Sequence, residues 1–200
     1  MASTEDVKEL RQRTGSGIMD IREALDEAAG DKEKAVEILR VRGQAQAAKR
    51  GGKSASEGVI ASYVHAGGQI GVLVEVNSET DFVARSDEFQ EFAREVALHV
   101  AASSPHYISE DDIPEEDRER EMRIFREQAA GEGKPEDVQQ KIAEGRMKKW
   151  LEEVVLLNQK HVNEEKHETK TIEELRAELA ATTGENIVVR RAVRFQVGEE

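Results

Sequence analysis

Apolar positions along the first fifty residues recur at helical spacing. Val7 and Leu10 fall on one face behind a Ser3 or Thr4 cap, and Ile18, Ile21, Ala24, Leu25 and Ala28 fall on another. After Gly30 and Asp31, a third stripe of Ala35, Val36, Ile38 and Leu39 runs with Arg42 to a stop at Gly43. The pattern predicts a three-helix module over residues 1–49, small and with exposed apolar surface. Residues 50–57, rich in Gly, Ser and Lys and without periodicity, read as a linker.

From Val59 the period changes to two. Ile60, Ser62 and Val64 alternate with Val59, Ala61, Tyr63 and His65, and Ala66-Gly67-Gly68 supplies a turn. Ile70, Val72, Val74 and Val76 then share a face, which predicts a hairpin over 59–77. Ile187, Val189, Arg191, Val193, Phe195 and Val197 alternate again near the C-terminus. A lone hairpin is marginal in water, so a last strand over 187–197 is expected to complete an antiparallel sheet.

Helical sequence fills residues 87–182. Phe89, Phe92, Ala93, Val96, Ala97 and Val100 form an apolar stripe behind Ser86 or Asp87, suited to covering the sheet. Pro114 and Pro135 are placed to start two charged helices separated by Gly131-Glu132-Gly133. Asn158 to Thr169 is polar throughout and reads as a solvated loop. Thr171-Ile172-Glu173-Glu174 is a capping box for a last helix ending near Gly184. The expected fold is α+β: a three-helix N-terminal module, then a core domain over 58–200 in which a three-stranded antiparallel sheet packs with helices.

Charge narrows the function. The net charge is -13, with 42 Asp and Glu against 29 Lys and Arg. A direct nucleic-acid binder must instead cluster cations to release counterions. Cysteine is absent, which fits a reducing cytoplasm, and no apolar run is long enough to cross a membrane. The stretch from Met1 to Asp6 lacks the basic start and apolar run of an export signal.

Candidates for chemistry are few. Gly52-Lys53-Ser54 looks like the tail of a phosphate loop, but Ala47 stands where its first glycine belongs and no apolar strand precedes it. His161 and His167, six apart around Glu164 and Glu165, suit neither helical nor zinc-knuckle spacing. Arg190, Arg191 and Arg194 form a basic group expected to pair with nearby Glu residues. Neither an enzyme nor a cofactor or metal site is expected. Two segments remain. Between Leu10 and Asp20, Gly15 and Gly17 permit a sharp turn before Ile18 and Met19. In Glu79-Thr80-Asp81-Phe82-Val83-Ala84-Arg85 an aromatic sits beside a carboxylate just after a strand. Spacing leaves Phe82 open between packing under the next helix and facing a partner, and Met19 open between core filler and contact.

Those two segments carry a resemblance. Leu10-Arg11 with Thr14-Gly15-Ser16-Gly17, Ile18-Met19-Asp20 and Ala24-Leu25 resembles the N-terminal signature of the elongation factor Ts family, a ubiquitin-associated-like module. The run from Gly71 to Asn77 into Thr80-Asp81-Phe82-Val83-Ala84 resembles the family's second signature. Weaker likeness continues through Glu144-Gly145-Arg146-Met147, Leu156-Leu157 with Gln159, and Glu185-Asn186-Ile187 with Arg190-Arg191. The resemblance implies a guanine-nucleotide exchange factor of translation elongation, binding elongation factor Tu both GDP-bound and nucleotide-free. Thr80, Asp81, Phe82 and Val83 would press on that partner's magnesium and phosphate site, with Phe82 as a wedge, and Arg11, Ile18 and Met19 would anchor the N-terminal module. It also implies the short form, without room for the duplicated core and inserted helical hairpin of longer members; one half-core leaves sheet surface to cover, so a homodimer is expected. Two departures stand out: Ser78 where many members carry cysteine, and Asn158-Gln159-Lys160-His161 where an acidic-Gln-Pro-Phe run is usual. The alternative is a non-enzymatic adaptor that holds protein ligands through the N-terminal module.

Overall fold

The computed structural model describes residues 3–199. Met1 and Ala2, the start of the stretch read for an export signal, lie outside the described residues, as do Glu200 and the side chains of Gln44, Gln46, Ala47 and Ala48. The architecture is α+β. Helices α1 (Thr4–Thr14), α2 (Ile18–Glu27) and α3 (Lys32–Arg50) open the chain. The Ser3 side chain accepts the Asp6 N–H to cap α1, and Gly15 closes it in the left-handed region at φ 66°. Val7, Leu10, Ile21, Ala24, Leu25, Ala28, Ala35 and Leu39 form a small core of their own.

Helix α3 does not stop at Gly43, where the sequence pattern placed its end; it runs on to Arg50. A helical glycine costs only about 1 kcal/mol relative to alanine, and Ala45, Ala47 and Ala48 are strong helix formers. Gly43 has a packing role instead. A Cβ there would lie 3.3 Å from the Cβ of Ala181, so the glycine lets α3 approach a C-terminal helix closely.

Strands β1 (Glu57–Val64) and β2 (Ile70–Ser78) form the expected hairpin. After α4 (Asp81–Ala84) and α5 (Asp87–Ser103), helices α6 (Glu115–Ala130) and α7 (Glu136–Val154) begin behind Pro114 and Pro135 and pack along each other. The two charged helices expected from Pro114 and Pro135 thus form and pair as a helical hairpin. Arg146 on α7 reaches back to Gln128 and Glu132, and Ile113, Val154 and Val155 root the pair beside Tyr107 and Trp150. A short α8 (Glu164–His167) and α9 (Ile172–Thr183) precede β3 (Val188–Gln196). The Thr171 to Glu174 capping box forms, and Gly184 closes α9.

The sheet is antiparallel in the order β1-β2-β3, with Tyr63 opposite Val72, Leu73 opposite Val193 and an irregularity between Glu75 and Val76. One face buries Val72, Val74, Val76 and Val189 against Phe89, Phe92, Val96 and Val100 of α5, with Ala177 and Ala180 of α9 in the same core. The other face is uncovered and leaves Ile60, Val64, Leu73, Val193 and Phe195 exposed. Among the described residues, no helix is long and apolar enough to cross a membrane.

The segment from Asn158 to Thr169 departs from a solvated loop. Gln159 and His161 are buried, because their polar atoms are satisfied from within. His99 on α5 meets the Gln159 Oε1 at 2.9 Å through Nε2, accepts the Val162 N–H through Nδ1, and stacks on the His161 ring with centroids 5.3 Å apart.

Candidate functional site

The segment after β2 is built on polar side chains that face inward and backbone that turns sharply. The buried Ser78 hydroxyl donates to the Thr80 carbonyl at 2.9 Å. Thr80 then caps α4, its Oγ1 accepting the Val83 N–H at 3.4 Å, and Ser86 caps α5 in the same way through the Phe89 N–H. Two caps six residues apart leave room for a single helical turn, Asp81–Ala84. That turn places neighbours on opposite sides. Val83 and Ala84 are buried in the core, while Phe82 is 83% exposed. Asp81, also exposed, pairs with Arg85 at 2.9 Å along the turn.

The turn is fastened from below by the connection between α9 and β3. Both the backbone N–H and the hydroxyl of Thr80 donate to the Glu185 carboxylate, at 3.0 and 2.7 Å. In return, the Asn186 N–H donates to the Glu79 carboxylate at 2.7 Å. Arg50 at the end of α3 and Lys53 reach the same Glu79 carboxylate, at 3.3 and 3.5 Å. The Asn186 bond, with these cations, holds the Glu79 carboxyl below its usual range.

The residues proposed from sequence for the N-terminal anchor also face outward. Ile18 and Met19 are 43% and 65% exposed at the start of α2, just past the Gly15 turn, and Arg11 is exposed in the last turn of α1. They belong to the three-helix module and are not part of the Thr80 to Val83 turn. Sequence reasoning did not assign a role to Glu79, Glu185 or Asn186 in supporting that turn. More than a hundred residues separate the paired segments, and no local pattern signals such a link.

Two other clusters bear on chemistry. Arg190 and Arg191 pair with Glu75, and Arg194 with Glu199, as expected of that basic group from the sequence. Glu95, His161 and His167 bring ligand-type atoms within 4.8 Å of one another. Their bonding is that of a self-satisfied network. The His161 Nδ1 accepts the Asn163 N–H at 3.0 Å, so in the neutral ring Nε2 carries the proton and faces the Glu95 carbonyl and carboxylate, at 3.2 and 3.4 Å. The Lys166 ammonium sits on the Glu95 carboxylate at 2.6 Å and on Glu91 at 2.5 Å. A cation there would have to displace Lys166 and exchange the His161 tautomer. Burial holds the His161 pKa below its usual value and brings that of His99 down to about 4.

Comparison with known proteins places the sequence among its relatives. A family model described as Elongation factor TS matches residues 2–170. The elongation factor Ts of Carboxydothermus hydrogenoformans is 52% identical over 199 residues, covering 100% of this chain and 90% of that protein. That of Caldanaerobacter subterraneus subsp. tengcongensis is 51% identical over 199 residues, covering 100% and 98%. That of Syntrophus aciditrophicus is 53% identical over 194 residues, covering 97% and 95%.

Proposed function

The chain belongs to the elongation factor Ts family, and on that premise we propose that it is a cytoplasmic guanine-nucleotide exchange factor that speeds GDP release from elongation factor Tu. The observation that carries the reading is Phe82, a large aromatic held in the open on a turn whose other side is locked into the core. A rigidly presented aromatic is the kind of group that displaces a neighbour's packing when it is buried in a partner. Thr80, Asp81 and Phe82 are the contacts with the partner's magnesium and phosphate site, and Val83 seats the turn beneath them.

Burying a Phe contributes about 1.5 to 3 kcal/mol. Since about 1.4 kcal/mol is tenfold in rate, the wedge supplies roughly ten- to a hundredfold acceleration. Further acceleration comes from lost magnesium coordination and from distortion of the phosphate loop. Coupling of this kind is reciprocal: if this protein weakens GDP binding, GDP weakens this protein's binding by the same factor. It therefore binds both the GDP-bound and the nucleotide-free partner, and no step makes or breaks a covalent bond.

Arg11, Ile18 and Met19 on the module of residues 1–49 form the anchor. Joined to the core through α3 and residues 51–56, it raises the local concentration of Phe82 at its target. The exposure of Ile18 and Met19 also suits an adaptor reading, in which ligand binding would depend on Met19 and not on Phe82.

A homodimer is the second part of the proposal. The uncovered sheet face presents an apolar row, and Glu75 with Arg190 and Arg191 puts both signs of charge beside it. A two-fold interface needs such a self-complementary patch. The exchange reading is tested by following release of a fluorescent GDP from elongation factor Tu with the intact protein at sub-stoichiometric amounts. Acceleration with turnover is expected; an unchanged release rate refutes it.

A further inference from the structure

We propose that Glu185 and Asn186, on the connection between α9 and β3, are positioning residues that hold the Phe82 turn in its exchange-competent orientation. The inference rests on the wedge reading of Phe82 given above. A four-residue helix makes too few internal hydrogen bonds to persist alone, so the direction in which Phe82 points depends on what fixes each end of the turn. Below, Val83 and Ala84 are held by the core. At the N-terminal end the fixing is polar and reciprocal. Thr80 gives two hydrogen bonds to the carboxylate of Glu185, and Asn186 returns one from its backbone to the carboxylate of Glu79. Two adjacent pairs of residues thus exchange side-chain to backbone bonds in both directions, a bidentate arrangement that fixes orientation as well as distance.

The latch reaches further than the turn. The Asn186 side chain, itself buried, donates from Nδ2 to the Lys53 carbonyl at 2.8 Å, while Glu79 also holds Arg50 and Lys53. The end of α3, the segment after it, the wedge and the start of β3 therefore meet at one hydrogen-bonded knot. Little of the fold's stability needs the Thr80 to Glu185 part of this knot. Ile187 and Val189 are buried in the core immediately after it, whereas Thr80 is exposed, and exposed polar links add little to stability. What they add is geometry, and small misplacements of a contacting group are costly to rate.

The test is the release rate of fluorescent GDP from elongation factor Tu against concentration of the full chain. It separates the plateau rate from the half-saturating concentration. For Glu185→Ala the plateau is expected to fall about three- to tenfold with little change in half-saturation and in melting temperature. Thr80→Val, which removes only the hydroxyl's bonds, should lose rate in the same direction, and Thr80→Ser should recover most of that loss. Because the latch acts through Phe82, the double variant Phe82→Ala with Glu185→Ala should be no slower than Phe82→Ala alone. A wild-type plateau in Glu185→Ala overturns the proposal, as does a double variant slowed by both factors multiplied. If Glu185→Ala does not fold, Glu185→Gln, which fills the same space and weakens both bonds to Thr80, carries the test alone and combined with Phe82→Ala, with the same outcomes. A wild-type plateau in Phe82→Ala alone overturns the wedge reading itself, and is read separately from the latch.

Discussion

Phe82 and Val83 are neighbours on a single helical turn and face opposite ways, one 83% exposed and the other 6%. The turn is therefore at once part of the core and a presented surface, which separates stability from function at adjacent positions. Phe82→Ala should change unfolding free energy by less than about 0.5 kcal/mol, as for other exposed sites. Phe89→Ala, seven residues on and fully buried, should cost about 3 to 5 kcal/mol. Denaturant titration of the two variants checks this; a strongly destabilised Phe82→Ala would mean that its ring packs into the protein.

Acid should loosen the protein through its buried imidazoles. Burial lowers the His99 pKa to about 4, and that of His161 in the same direction, from an ordinary value of about 6.5. The unfolded chain then takes up protons near pH 6.5 while the folded one does not. The stability that depends on neutral His99 is complete above that value and declines as pH falls toward about 4. The loss is at most about 1.4 kcal/mol per pH unit for one such group, or about 3 to 6 °C in Tm.

The groups facing these rings are Gln159, the Val162 and Asn163 amides, Glu95, His167 and, through Glu95, Lys166. Glu91, whose pKa the Lys166 bond lowers to about 2, adds its own loss only below the ordinary carboxylate range. Melting curves from about pH 8 to 5 should show the decline, and His161→Phe, which keeps an aromatic ring and removes one of the two titrating groups, should flatten it. A Tm that does not fall between about pH 6.5 and 5 would contradict this account.

The uncovered sheet face should be a subunit interface. Sedimentation equilibrium should give about twice the 22.3 kDa chain mass, and Phe195→Asp should return the monomer, since a two-fold interface suffers each substitution twice. A 22.3 kDa mass for the intact protein at working concentration would remove the dimer from the account.

Much of this fold is legible in the chain because it is periodic. The helical stripe from Ile21 to Ala28 and the alternation of Val72, Val74 and Val76 name their buried faces directly, whereas Ile18, on the same stripe by spacing, is exposed. What escapes is set by distant partners. Gly43 looks like a helix stop and is a point of close approach to Ala181, which only the packed structure reveals. His161 lies in a polar run, and hydropathy cannot show that Glu95 and Asn163 satisfy its ring nitrogens in the interior while the His99 ring stacks on it. Phe82 sits on one turn, too short to generate a period, so its exposure is decided by where Val83 packs and by Glu185, 105 positions away from Thr80.

Phe82 is the residue on which exchange turns. Stopped-flow release of fluorescent GDP from elongation factor Tu at saturating factor measures it most directly. Phe82→Ala should lower the plateau rate roughly ten- to a hundredfold while the half-saturating concentration, set largely by the N-terminal anchor, stays within about threefold. Equal plateau rates for the intact protein and Phe82→Ala would contradict it.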